Sequence, residues 1–178
     1  VASGYDFPGV ARWTRRAGVD VAEKDLILVP VNLGNNHWVL AGIDVLRQMF
    51  LYLDSMHGHD MVGVVASLKR WFYDEVHEKH GVAAANALGV DAWTVLCNQY
   101  VPYRFTNCKA GIESGSPRRS PTAPLRIPVQ RDSGSCGVFT AMIADCLEMG
   151  VTVFFKHQNI KLIRSRMALD LYRRMLPG

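Results

Sequence analysis

The sequence predicts an α+β fold in which a central block of strands is flanked by helices, and three observations carry that expectation. Residues 26–31 and 38–43 are continuous apolar, β-branched runs separated by Gly34, Asn35 and Asn36, the pattern of two buried strands joined by a turn. Residues 50–53 supply a third strand after a short loop at 44–47, so the sheet should be mostly antiparallel. Between Met61 and His80 the residues Val64, Val65, Leu68, Trp71, Phe72 and Val76 recur at helical spacing, with Lys69, Arg70, Glu75 and Glu78 on the other face, and Gly81 closes the helix.

The rest of the chain fits the same plan. Residues 111–124 are rich in Ser, Pro and Gly and read as a flexible surface insertion, whose Ser-Pro-Arg-Arg-Ser-Pro core needs no role beyond that of a passive loop. Strand character resumes over 125–129 and gives way to a Ser/Gly turn. Beyond it Cys136, Phe139, Ile143, Cys146 and Leu147 mark one face of a buried helix. A last helix over about 157–175 should turn Ile160, Ile163, Met167 and Leu171 inward.

Composition narrows the function. At 178 residues with 49% hydrophobic and 20% charged residues and a mean hydropathy of +0.04, residues 1–178 have the size and content of one globular domain. The longest apolar runs are far shorter than the ~20 residues that cross a bilayer, so no membrane partner is expected. Net charge is +4, but basic residues occur only as scattered pairs such as Arg15-Arg16 and Arg118-Arg119. That is a solvated surface rather than a phosphate-neutralising stripe, and no nucleic-acid partner is expected. Cysteines at 97, 108, 136 and 146 lack both zinc-site pairs and the density of a disulfide scaffold, which points to a reducing, intracellular setting. His57 with His59, and His77 with His80, have no convincing third ligand, so no metal or cofactor is expected. The chain opens on Val1 without a charged-then-apolar leader, as expected of a piece excised from a longer protein.

Four residues carry chemistry together. Counting outward equally from a loop at 44–47 sets His37 directly opposite Asp54, with Cβ atoms about 5 Å apart. The carboxylate would then accept the Nδ1 proton and leave Nε2 free as a base. Cys136 lies in Gly134-Ser135-Cys136-Gly137, a polar turn running into an apolar helix. A thiol there meets unpaired N–H groups and the positive end of the helix dipole, which favour the attacking thiolate. Gln130 can swing its amide back over the thiol and, with the Cys136 N–H, form a two-donor oxyanion hole.

These segments, His37-Trp38, Leu51 to Ser55, and Gln130 with Gly134 to Gly137, resemble the active-site segments of the SUMO-specific (ubiquitin-like-protein-specific, or sentrin-specific) cysteine proteases. Residues 11–15, 25–32 and 163–167 are similar to the family as well. The resemblance implies a papain-like cysteine protease fold with Cys136 as nucleophile, His37 as base and then acid, Asp54 as its orienter and Gln130 as oxyanion donor. Trp38 is similar to the tryptophan that covers a narrow tunnel for the modifier's Gly-Gly tail, a slot that admits glycine and rejects side chains. It further implies a nuclear, monomeric enzyme that releases SUMO from lysine side chains and matures its precursor. The alternatives are a protease for another ubiquitin-like modifier and an inactive SUMO-binding pseudoprotease. Three departures stand out: the family's N-terminal section with its second tunnel tryptophan has no counterpart, Ser135 stands where the family usually has Asp, and the stretch before Gln130 is longer than usual.

Overall fold

The computed structural model describes residues 5–58, 61–100 and 125–175. Four strands, β1 (Leu26–Leu33), β2 (His37–Asp44), β3 (Met49–Leu53) and β4 (Thr94–Cys97), form one sheet in that order. β1, β2 and β3 are antiparallel neighbours, whereas β4 runs parallel to β3. A two-residue pair, β5 (Gln99–Tyr100) with β6 (Leu125–Arg126), stands apart from it. The strand expected over 125–129 is therefore paired only at its start. The helices are α1 (Phe7–Ala17), α2 (Met61–His80), α3 (Val82–Ala87), α4 (Cys136–Glu148) and α5 (Ile160–Met175). The expected flexible insertion at 111–124 lies outside the described residues.

Side chains of a strand alternate between the faces of a sheet, and here each face has its own core. Val39, Ala41, Ile43, Phe50 and Tyr52 point toward α2 and α3, where they meet Leu68, Phe72, Val76 and Trp93. Leu40, Leu51 and Leu53 point the other way, onto Phe139, Ile143 and Leu147 of α4 and Ile160 at the start of α5. The middle strands are buried on both sides, which is why their sequence reads as unbroken apolar runs rather than alternation. At Gly42 an added Cβ would lie 3.2 Å from the Ile27 carbonyl oxygen and 3.4 Å from both Leu28 and Leu51, so this turn of the core is filled without a side chain.

Two expectations about the helices are corrected. Glu75 does not lie on the solvent face of α2 but is fully buried. Its Oε2 accepts from Thr14 Oγ1 of α1 at 2.7 Å and from Lys79 Nζ at 2.8 Å. Charge at a periodic position signals solvent only when no partner arrives from elsewhere, and Thr14 is 61 residues away in the chain. Arg15 bonds Glu78 and the Tyr5 hydroxyl donates to Asp74, so α1 is fastened to α2 along its length. Leu171, expected inward, is 65% exposed. The helical period of α5 outlasts the surface it packs on: Ile160 is buried, Ile163 and Met167 are half-buried, and beyond them the helix stands clear.

Replacing Thr14 by Val keeps the volume and leaves Glu75 with Lys79 alone. The expected cost is about 1–3 kcal/mol, read from chemical denaturation, and a cost near zero would mean that α1 does not depend on this bond.

Candidate active site

The β2–β3 hairpin places the first two candidate residues. Asp44 pairs with Met49, so the loop is Val45–Gln48 rather than 44–47. The Asp44 side chain holds it, accepting from the Arg47 N–H at 2.9 Å and the Arg47 guanidinium at 3.1 Å. Every partner in β3 therefore moves by two positions, and Leu40 faces Leu53. A slip of two keeps each side chain on its face, where a slip of one would not. His37 and Asp54 thus still meet, as diagonal rather than directly opposed neighbours.

The longer diagonal is spanned by the far nitrogen of the ring: His37 Nε2 lies 2.7 Å from Asp54 Oδ1. This reverses the expected tautomer. A carboxylate only accepts, so the facing Nε2 carries the proton and Nδ1 is the free, basic nitrogen. Asp54 is 1% exposed and its charge is fully partnered. Besides His37, Oδ1 accepts from the Met56 N–H at 2.8 Å and Oδ2 from the Gly58 N–H at 2.7 Å. Its own N–H donates to Asn98 Oδ1 at 2.7 Å. Asn98 follows β4 in the left-handed region (φ 54°), where asparagine is tolerated. From there its N–H bonds the Tyr52 carbonyl, and its carbonyl accepts from the Ile127 N–H.

Gln130 arrives beside the same strand end. Its N–H donates to the Ser55 carbonyl at 2.7 Å, and its Oε1 accepts from Ser55 Oγ at 2.9 Å. The side-chain NH₂ donates to the Asp132 carbonyl at 2.5 Å and to Asp132 Oδ1 at 3.1 Å. That amide is thus held by Asp132 two residues on. Asp132 Oδ1 also accepts from the N–H groups of Gly134 (3.2 Å) and Ser135 (3.0 Å), and Oδ2 accepts from Ser135 Oγ at 2.6 Å. The Ser135 hydroxyl, supported by the two backbone N–H groups and nearby His157, holds the Asp132 carboxyl below the usual carboxylate range, so it is ionised at neutral pH. From α5, Arg164 Nη2 reaches the Gly134 carbonyl at 2.5 Å and Ser135 Oγ at 3.3 Å.

That turn delivers Cys136 as the first residue of α4. Ser135 occupies the N-cap but makes no side-chain cap bond, because its hydroxyl is given to Asp132. A capping side chain would take one of the first-turn N–H groups. α4 packs on β2, and a Cβ at Gly137 would stand 3.6 Å from Trp38 Cδ1. The residue after Cys136 therefore lies against the residue after His37. Trp38 is 40% exposed, an indole left open to solvent beside a buried thiol. Burial, reinforced by the charge of Asp54, pushes the Cys97 thiol up, and burial does the same for Cys146. Among the described residues no cluster of His, Cys, Asp or Glu could hold a metal ion.

A histidine lies on a buried carboxylate, a cysteine opens a helix, and a glutamine is bonded both to Ser55 beside that carboxylate and to Asp132 of the turn before the cysteine; the comparisons identify the family of the chain. The model of the Ulp1 protease family, C-terminal catalytic domain, matches residues 2–177. The chain belongs to the Ulp1 protease family. It is 28% identical over 172 residues to Ubiquitin-like-specific protease 1A of Arabidopsis thaliana, covering 96% of this chain and 28% of that protein. It is 27% identical over 177 residues to Sentrin-specific protease 2 of Homo sapiens, covering 98% and 24%. The chain therefore spans about a quarter of the length of these relatives. Among solved structures, the Chaetomium thermophilum Ulp1-like SUMO protease catalytic domain superposes with a TM-score of 0.61 at 25% identity, over 91% of this chain and 52% of that one. A Ulp1 protease domain in complex with Smt3, the yeast orthologue of SUMO, gives the same TM-score at 19% identity and shares the fold. The expected α+β architecture, a mostly antiparallel sheet between helices, is that of these proteases.

Sequence reasoning passed over Ser55, Asn98, Asp132 and Arg164. Only Asp132 left a local signal, an Asp two residues before a glycine, which favours an Asx turn. In neutral His37 the proton is expected on Nε2, visible in the ¹⁵N shifts of the ring. Gly58→Ala, whose Cβ would fall 2.8 Å from Asp54 Oδ2, should perturb that proton's resonance. Protonation at Nδ1 instead would refute the stated geometry.

Proposed function

We propose that this chain is a thiol peptidase that cleaves after the C-terminal Gly-Gly of SUMO, releasing the modifier from lysine side chains and trimming its precursor. The observation that carries the reading is the buried Asp54 carboxylate on His37 Nε2, 2.7 Å apart, at the strand end where Ser55 holds Gln130, which is in turn bonded to Asp132 of the turn before Cys136. His37 Nδ1 takes the thiol proton, and the sulfur attacks the carbonyl carbon of the terminal glycine. Charge builds on the carbonyl oxygen, where the Cys136 N–H and one N–H of Gln130 stabilise it. The tetrahedral adduct collapses as imidazolium Nδ1–H protonates the departing lysine amine. Water then hydrolyses the thioester with His37 again as base. Asp54 keeps the ring in the productive tautomer and stabilises the imidazolium.

Specificity is assigned to Trp38, whose indole is 40% exposed beside the residue that follows Cys136. A Gly-Gly tail has no side chains to meet that indole, which favours it as the substrate. The family relatives named ubiquitin-like-specific and sentrin-specific proteases support a modifier of the SUMO class. The enzyme acts as a monomer in the nucleus, with no cofactor, metal or nucleic acid.

The test uses the full-length protein that contains this chain and a panel of modifiers bearing C-terminal Gly-Gly fluorogenic groups. SUMO should be turned over fastest, and Cys136→Ala or His37→Ala should lower kcat by about 10⁴-fold or more. Turnover surviving in Cys136→Ala would sink the mechanism, and preference for another modifier would sink the substrate. A SUMO probe with a C-terminal electrophile should label Cys136 and spare Cys97, whose thiol is held protonated.

A further inference from the structure

The Asp132 carboxylate accepts four hydrogen bonds against three for Asp54, and one of the four comes from Gln130. Its Oδ1 is shared by three donors, Gln130 Nε2, Gly134 N–H and Ser135 N–H, at 3.1, 3.2 and 3.0 Å. Its Oδ2 takes the Ser135 hydroxyl at 2.6 Å. We propose that Asp132 is a positioning residue for catalysis, which keeps both oxyanion donors ready: it holds the Gln130 amide beside the nucleophile turn and keeps the Ser135 hydroxyl off the N-terminus of α4.

Two physical points support this. A carboxylate oxygen offers about two lone pairs, so with three donors on Oδ1 the Gln130 bond is the one that can be surrendered. The backbone bonds on that oxygen are fixed by the turn, whereas the amide sits at the end of a side chain. An arriving oxyanion can therefore draw one N–H of Gln130 away while the other stays on the Asp132 carbonyl, 2.5 Å distant. Donors already oriented cost little reorganisation at the moment of reaction. Second, serine at an N-cap ordinarily bonds an N–H of the first helical turn. Here the hydroxyl is diverted to Asp132 and steadied by Arg164 Nη2 at 3.3 Å, so the positive end of α4 is left to the substrate. The charge that the family usually places at the residue before the nucleophile is supplied in this chain from three residues further back.

The inference rests on the reading of Gln130 as an oxyanion donor, and the experiment separates the two. Steady-state kinetics are measured in the full-length protein on a SUMO Gly-Gly fluorogenic substrate for Asp132→Ala, Asp132→Asn, Gln130→Ala and the Asp132→Ala/Gln130→Ala double variant. Asp132→Ala should lower kcat by about tenfold or more with KM within about twofold, because the loss falls on the transition state. Asp132→Asn retains an oxygen for the amide and the turn and should recover kcat to within about threefold of the parent. With Gln130 already removed, Asp132→Ala should cost markedly less than it does alone, since coupled residues are not additive. Should Asp132→Ala fail to fold by circular dichroism, Asp132→Ser closes the turn but does not reach the amide, and it replaces the alanine in the same comparison. The inference is overturned if kcat survives Asp132→Ala, if Asp132→Asn is as impaired as the alanine variant, or if the two losses multiply in full. If Gln130→Ala alone has no effect, it is the oxyanion reading that fails, and this inference falls with it.

Discussion

The carboxylate of Asp54 is the constraint from which the site is built. A charge with 1% exposure persists only where donors surround it, and each donor it recruits fixes a different piece of chain. The bond to His37 Nε2 fixes the imidazole ring, while the Met56 and Gly58 N–H groups fold the segment after β3 back over the carboxylate. Asn98 secures the Asp54 backbone, and the next residue, Ser55, takes hold of Gln130 at two points. The end of one strand thus supplies the anchor for both the imidazole and the segment that leads to the thiol. Removing that charge would unfasten several elements at once.

The two cores place this anchor where helix and sheet meet. Period-two alternation sends one set of side chains to α2 and the other to α4, so the sheet is a fixed plane between two layers. Against one layer, Phe139 of α4 stacks near Phe155 and His157, one helical turn beyond Cys136. Cys136 therefore stands on a packed helix, while His37 begins a strand of the same core. Neither of these candidate residues is carried by a free loop.

Much of this was legible in the sequence because the signals were local. Continuous apolar runs gave the doubly buried strands, helical spacing gave α2, and a polar glycine turn before an apolar face put Cys136 at a helix start. The hairpin register was off by two because Asp44 looked like a loop residue; its bonds to Arg47 let it stay in the ladder while the turn forms one residue later. Parity rescued the pairing of His37 with Asp54 but not the choice of ring nitrogen, which depends on a distance no sequence pattern encodes. Glu75 and Asn98 were missed for the same reason: their partners, Thr14 and Asp54, lie 61 and 44 residues away. Leu171 failed differently, since a period reports which face a helix presents and not how far its neighbour extends.

The clasp between α5 and the turn before Cys136 bears on the order in which the chain folds. Arg164 grips the turn at Gly134 and Ser135, and His157 accepts the Arg131 N–H at 3.2 Å. The candidate residues His37, Asp54, Gln130 and Cys136 all precede these two in the chain. A polypeptide still emerging from the ribosome thus carries all four candidate residues before it has the means to hold them, and the geometry of the turn before Cys136 is completed only after this later stretch has been synthesised and has folded back.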